Sequence, residues 1–289
     1  MKKNEIRACL CIKPSKNWQI ASLIFDLLAS ERGRCYTASR NHFGKEGLFV
    51  NTIKISKGGV KMIAHRGLSG LERENTCSAF VAACNRESYF GVETDVHRTA
   101  DGHYVIFHDD DTRRVGVDSL KIEESTFDTL RSLQLTDIDG QRGRSDLRIP
   151  SLEEYIGICK KYDKDCVLEL KNHFRAADIH RIVSIVEKSG WLERVIFISF
   201  DLKNLIALRR YCPQQRAQYL LSKFQDDALD ALSEYDLGLD IKYTALTPEI
   251  VSRVHDIGKE VNCWTVNEPD EAAKLVDMGV DYITTNILE

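Results

Sequence analysis

From Met62 onward the chain alternates short apolar runs with segments of helical period, and this alternation narrows the available folds more than any other feature. The apolar runs fall at 62–65, 91–96, 166–170, 194–198, 216–220, 237–241, 260–264 and 281–284. Most are rich in Val, Ile, Leu or Cys and stop at turn or helix signals, as parallel strands buried on both faces do. Helical patterns lie at 75–87, 151–162, 177–189, 201–211, 248–257 and 268–278. Ser151-Leu152-Glu153-Glu154 has capping-box spacing, Pro248 and Pro269 suit a first helical turn, and Gly190, Gly258 and Gly279 follow helix ends. Eight βα units with right-handed crossovers predict an α/β fold, a closed (β/α)8 TIM barrel, with an open doubly wound sheet as the alternative.

Two stretches depart from the alternation. Residues 109–150 are polar and charged with one helical patch, Phe127 to Leu133, and read as a short insertion over the barrel mouth after the second strand. The first 61 residues show no catalytic grouping; 18–30 suits an amphipathic helix and Leu48 to Ile55 a strand. The expected domains are therefore an N-terminal extension of unknown role, 1–61, and a barrel, 62–289. Lys57 to Met62 could be encoded by a purine-rich stretch resembling a ribosome-binding site, so translation starting at Met62 is a further expectation. The intact mass of the protein from its native source decides it.

Composition excludes several function classes. A net charge of −4 gives no electrostatic case for nucleic acid or an anionic membrane. No apolar run approaches the ~18 residues of a membrane span. Residues 20–28 are apolar but broken by Ser22 and Asp26, with no small-residue cleavage site after them. Nine irregularly spaced cysteines read as reduced thiols in a cytoplasmic protein. Oligomeric state is not legible.

The chemistry concentrates in residues 61–109. The run Met62 to Ala64 ends in His65-Arg66-Gly67, Phe90 to Val96 carries Glu93 and Asp95, and Tyr104 to Phe107 ends in His108-Asp109. Three apolar strands ending in ionisable residues are what a parallel α/β active site requires. Strand alternation puts Glu93 and Asp95 on one face, where they repel unless a cation or proton lies between them. Glu169, near the end of the third barrel strand, completes an oxygen-only set suited to one hard divalent cation, Mg²⁺ or Ca²⁺. Salt bridges to Arg66 and Lys171 are the plainer alternative. His65 and His108 end different strands and suit proton transfer on either side of a phosphate, and Arg66 suits bidentate binding of phosphoryl oxygens. Lys171 shares the Glu169 face and either contacts phosphate or pairs with an acid. Glu74 suits a supporting network and Asn75 a helix cap. Trp264 is a pocket wall or barrel core. Lys242 is a weaker candidate, His97 is set aside at the strand end, and Asp226, Asp227 and Asp230 read as a solvated helix face.

The ordered motifs His65-Arg66-Gly67, Glu74-Asn75-Thr76, Ala79-Phe80, Glu93-Thr94-Asp95-Val96, Thr99-Ala100-Asp101-Gly102 and His108-Asp109 resemble the glycerophosphodiester phosphodiesterase family, as do LELK at 168–171 and the stretch 264–286. The resemblance covers roughly residues 62–286. A departure is Arg73, where the family usually has proline, which leaves the shape of that loop open. The resemblance implies metal binding by Glu93, Asp95 and Glu169, catalysis by His65 and His108 and a site lysine at Lys171. It also implies a small-molecule phosphodiester substrate cleaved to sn-glycerol 3-phosphate and an alcohol, and a variable insertion linked to substrate choice. The competing expectations are a lysophospholipase D-like or phosphoinositide-specific lipase-like activity on the same barrel, and a catalytically silent binding protein.

Overall fold

The computed structural model describes residues 51–289 with the exception of residue 117; the candidate helix at 18–30 lies outside them. The strands are β1 (Lys61–Ala64), β2 (Tyr89–Arg98), β3 (Tyr104–Ile106), β4 (Asp165–Leu170), β5 (Val195–Ser199), β6 (Ala217–Leu221), β7 (Gly238–Lys242), β8 (Val261–Trp264) and β9 (Tyr282–Thr285). The helices are α1 (Cys77–Cys84), α2 (Phe127–Ser132), α3 (Leu152–Lys161), α4 (Ala176–Lys188), α5 (Leu202–Tyr211), α6 (Asp227–Glu234), α7 (Pro248–Asp256) and α8 (Pro269–Met278). All strands except β3 pair in parallel in the circular order β1-β2-β4-β5-β6-β7-β8-β9, and β1 closes the ring by pairing with both β2 and β9. The fold is a closed (β/α)8 TIM barrel.

The caps explain why the helices start where they do. Ser151 and Glu154 form the reciprocal capping box at α3, and Thr247 precedes the first-turn Pro248 of α7. At α1 the cap is Thr76, which accepts from the Ala79 N–H, and not Asn75 as the sequence suggests. The described part of the 48–55 run makes a parallel bridge, Ile53 to Leu288, and Ile53 and Ile55 pack against the barrel core. Among the described residues no helix is long and apolar enough to cross a membrane.

The third apolar run departs from the parallel expectation. β3 lies antiparallel on the outer half of β2, with Val96 opposite Ile106 and Arg98 opposite Tyr104. Only residues 99–103 join the two strands, too few for a parallel crossover, which takes a dozen or more. Gly102, at φ 85°, makes the turn. The 109–150 insertion continues from this hairpin around an apolar core of its own, including Val115, Ile122, Leu130, Leu135, Leu147 and Ile149.

Gly67 marks the tightest approach between β1 and α1. Its φ is +78°, and a Cβ there would lie 2.7 Å from the Ala79 carbonyl carbon, while the next residue's N–H donates to that carbonyl at 3.0 Å. Gly67→Ala therefore meets both backbone strain and a clash with main chain that cannot rotate away. Chemical denaturation is expected to show a loss of about 2–4 kcal/mol. A loss under about 0.5 kcal/mol contradicts the close-approach reading.

Candidate active site

The register of β2 against β4 builds the acidic centre. Asp95 lies directly opposite Glu169, and Glu93 sits two residues deeper on the same face. Ligand atoms of Glu93, Asp95 and Glu169 all lie within 4.8 Å of one another, and all three side chains are buried. Burial, then the neighbouring Asp95, raises the Glu169 carboxyl to about 7. The same two causes push Glu93 well above the ordinary carboxylate range. Asp95 goes the other way: burial opposes its ionisation, but Arg66, Lys171 and His108 outweigh that and hold its carboxyl low. Its Oδ1 is buried without a hydrogen-bond partner. An orphaned carboxylate oxygen among three crowded acids, with only oxygen donors present, fits a hard divalent cation.

Arg66 follows β1 in the left-handed region, φ 55°, and this places both its backbone and its side chain on the acids. Its N–H donates to Glu93 Oε2 at 2.9 Å, and its guanidinium reaches Glu74 at 2.9 Å and Asp95 at 3.6 Å. Its Nε is buried without a hydrogen-bond partner. Lys171 is 3.0 Å from Glu169 and 3.7 Å from Asp95, so here it pairs with the acids. Asn75 donates to Asp95 Oδ2 at 2.7 Å and accepts from Thr94 Oγ1 at 2.7 Å, which makes it a support for the acid centre.

Glu74 turns outward to bridge Arg66 and Arg114 of the insertion. Burial opposes its ionisation, but these two arginines bring its carboxyl down to about 2. Arg73, in the place of the expected proline, donates to the Thr136 and Asp137 carbonyls and ties the same loop to the insertion.

His65 lies against Asn286, Nδ1 to Oδ1 at 2.7 Å, and burial, then Arg66, lowers its imidazole to about 4. His108 follows the β3 hairpin, which the Phe107 N–H anchors to the Asp95 carbonyl at 3.0 Å. Its Nδ1 is 2.6 Å from Asp109 Oδ1. His97 is fully buried beneath it, with Nε2 3.4 Å from the His108 carbonyl and Nδ1 3.3 Å from Glu123. His97 shares the alternate of Glu93 and Asp95 at the strand end, and only the returning hairpin reveals its supporting role.

One cavity of about 370 Å³, space at its mouth included, is lined by His65, Arg66, Glu93, His108, Glu169 and Trp264. Trp264 forms a wall with Phe200, ring centroids 5.7 Å apart at 89°. Lys242 is exposed and is not among the lining residues. Ile198, Leu220, Asp240 and Thr284 complete the lining, and none of the four stood out in the sequence. A wider cleft carries on outward from His108 and Lys171, lined by Asp109, Asp110, Asp111, Arg113 and Arg114.

Fold and cleft together define a (β/α)8-barrel enzyme with its polar groups at the C-terminal ends of the strands. Residues 65–289 match the Glycerophosphoryl diester phosphodiesterase family, and the chain belongs to that family. It is a phosphoric diester hydrolase acting on glycerophosphodiesters. The Bacillus subtilis protein YhdW is 31% identical over 235 residues, 78% of this chain and 93% of that protein. The glycerophosphodiester phosphodiesterase of Caldanaerobacter subterraneus subsp. tengcongensis is 26% identical over 231 residues, 78% of this chain and 93% of that one. Among solved structures, an Oleispira antarctica phosphodiesterase in complex with the product sn-glycerol-3-phosphate superposes with a TM-score of 0.71 and 28% identity. That match covers 78% of this chain and 92% of the other.

Proposed function

We propose that the chain cleaves glycerophosphodiesters to sn-glycerol 3-phosphate and a free alcohol, with Glu93, Asp95 and Glu169 holding one divalent cation, Mg²⁺ or Ca²⁺. The observation that carries this reading is the meeting of three buried carboxylates with Arg66, His65 and His108 around one cavity. The product held by the Oleispira antarctica relative supports it. When bound, the cation would supply Lewis-acid charge to the phosphoryl oxygens.

The remaining work falls to the chain's own side chains. Arg66 presents its guanidinium to the non-bridging oxygens, and Lys171 adds a second positive charge beside the acids. With Asn286 Oδ1 accepting, His65 carries its proton on Nδ1 and keeps the Nε2 lone pair for the attacking oxygen. Its lowered pKa keeps that imidazole neutral near pH 7. Burial pulls the His108 imidazole below its ordinary range against the opposing Asp95 and Asp109 carboxylates, and its protonated form, held at Nδ1 by Asp109, hands a proton to the departing alkoxide. Trp264 and Phe200 shield one side from water. The same roles serve attack by a substrate hydroxyl or by water.

Release of sn-glycerol 3-phosphate from glycerophosphocholine, measured with Mg²⁺, Ca²⁺ or chelator, tests the reading. Chelation is expected to remove the activity and either cation to restore it; no product with either one overturns the proposal. His108→Ala is expected to lower kcat on glycerophosphocholine by about 10²–10⁴-fold. On a p-nitrophenyl phosphodiester, whose leaving group needs no proton, the loss should be about tenfold or less. Equal losses on both substrates reject His108 as the proton donor.

A further inference from the structure

Asp240, in the wall of the same cavity, has no assigned role. It lies on β7, is 2% exposed, and lines the cavity beside Leu220, its partner on β6, with Ile198 and Trp264 in the same lining. Its Oδ1 is buried with no hydrogen-bond partner. Among the described residues no cation of the chain lies within salt-bridge distance of it, and it is not one of the three clustered acids, although the Glu169 charge reaches it. The neighbouring inward polar groups are linked to one another, Asn262 donating to Gln218 at 3.2 Å and accepting from Thr284 at 3.2 Å, although Gln218 Nε2 and Trp264 Nε1 are also buried without a partner. Asp240 is left out of that chain of bonds. A buried polar group without a partner is costly, so an acid held this way in a substrate cavity points to a partner that arrives with the ligand.

The shape of the site selects which part of the ligand that is. With the space at each mouth included, the inner cavity is about 370 Å³, against about 1160 Å³ for the charged outer cleft beyond His108 and Lys171. A three-carbon polyol suits the inner space, and an alcohol group of variable size suits the outer one. Beside apolar Leu220 a buried carboxyl group is best accommodated neutral, and burial, then the Glu169 carboxylate, drives Asp240 in that direction. A neutral carboxyl offers one donor and one acceptor, the complement of a hydroxyl.

We propose that Asp240 is a specificity-determining residue that hydrogen-bonds a hydroxyl of the glycerol moiety at the inner end of the cavity. This rests on the glycerophosphodiester reading above. A site built around such a bond discriminates against the ligand lacking it, because the protein's polar group is then stranded.

The experiment compares sn-glycerol 3-phosphate with n-propyl phosphate, its analogue without hydroxyls, by calorimetric binding to the cation-loaded protein. Wild type is expected to bind the glycerol compound about 10–100-fold more tightly. Asp240→Asn, which keeps a donor and an acceptor, should hold that ratio within about threefold, and Asp240→Val should collapse it towards one while n-propyl phosphate binding stays unchanged. A ratio that survives in Asp240→Val overturns the inference, as does an equal loss of both ligands. Loss confined to turnover of glycerophosphoethanolamine overturns it too, since that places the ammonium of the alcohol at Asp240. If wild type releases no sn-glycerol 3-phosphate from any glycerophosphodiester, the broader reading fails first and takes this one with it.

Discussion

Glu93→Gln is expected to lower kcat/KM for glycerophosphocholine by at least about 10³-fold and yet leave the metal-free protein as stable as wild type, or more so. The two effects share one cause. Glu93 is buried beside Asp95 and Glu169, and its carboxyl is pushed well above the ordinary range by burial and by those acids. Glutamine keeps the oxygen that accepts the Arg66 N–H at 2.9 Å but removes the charge that repels its neighbours. Replacing a crowded buried charge with a neutral isostere is commonly neutral or stabilising. The proposed cation loses a negative ligand by the same change. Activity with saturating cation and thermal unfolding in chelator give the two readouts. A variant that retains activity within tenfold, or whose metal-free Tm drops by more than about 5 °C, contradicts the account.

The second large effect is the pH dependence of cation stabilisation. Glu169 holds its proton to about pH 7 in the folded chain, against about 4.3 in an unfolded one. Between these values the folded state binds more protons than the unfolded state, so stability falls as pH rises through that window. Glu93 shifts in the same direction and adds to the slope. Asp95 is depressed, so its contribution is already complete above pH 4 and adds no slope between 5 and 8. The metal-free protein is therefore expected to lose on the order of 3 kcal/mol from pH 5 to 8 through this cluster. The proposed divalent cation would replace the missing protons, so the gap between cation-loaded and chelated Tm should widen steadily with pH. A gap of constant size across pH 5–8 rules out the three acids as its source.

Acid stability tests a different part of the site. Glu74, brought down to about 2 by Arg114 and Arg66 against the opposing cost of burial, stabilises the fold above its unfolded pKa and ceases to do so as pH falls towards 2. Glu74→Gln is accordingly expected to flatten the loss of stability between about pH 4.5 and 2, by roughly 2–3 kcal/mol. An unchanged acid limb shows that the Arg66–Glu74–Arg114 bridge does not hold the insertion to the barrel.

Much of this protein was legible in one dimension. The spacing of apolar runs and helix caps marked the eight barrel strands, because a buried parallel strand needs a short hydrophobic run and a first turn needs its cap. Alternation along β2 put Glu93 and Asp95 on one face, and chemistry made His65, Arg66, His108 and Glu169 candidates. The three-dimensional pairing decided the rest. Only the β2–β4 register sets Asp95 against Glu169, since a slip of one residue would turn one acid outward. Only the hairpin shows that His108 arrives on an antiparallel return, resting on the buried His97. Asn75 looked like a cap and instead holds Asp95, because its left-handed backbone turns the side chain towards β2. Asp240 carried no signal at all: a lone acid in an apolar strand gains meaning from what surrounds it, and its surroundings come from four other strands. Residue identity and period follow from local sterics and hydrophobicity, whereas a site is a set of distances between strands far apart in the chain, and closure of the barrel sets those distances.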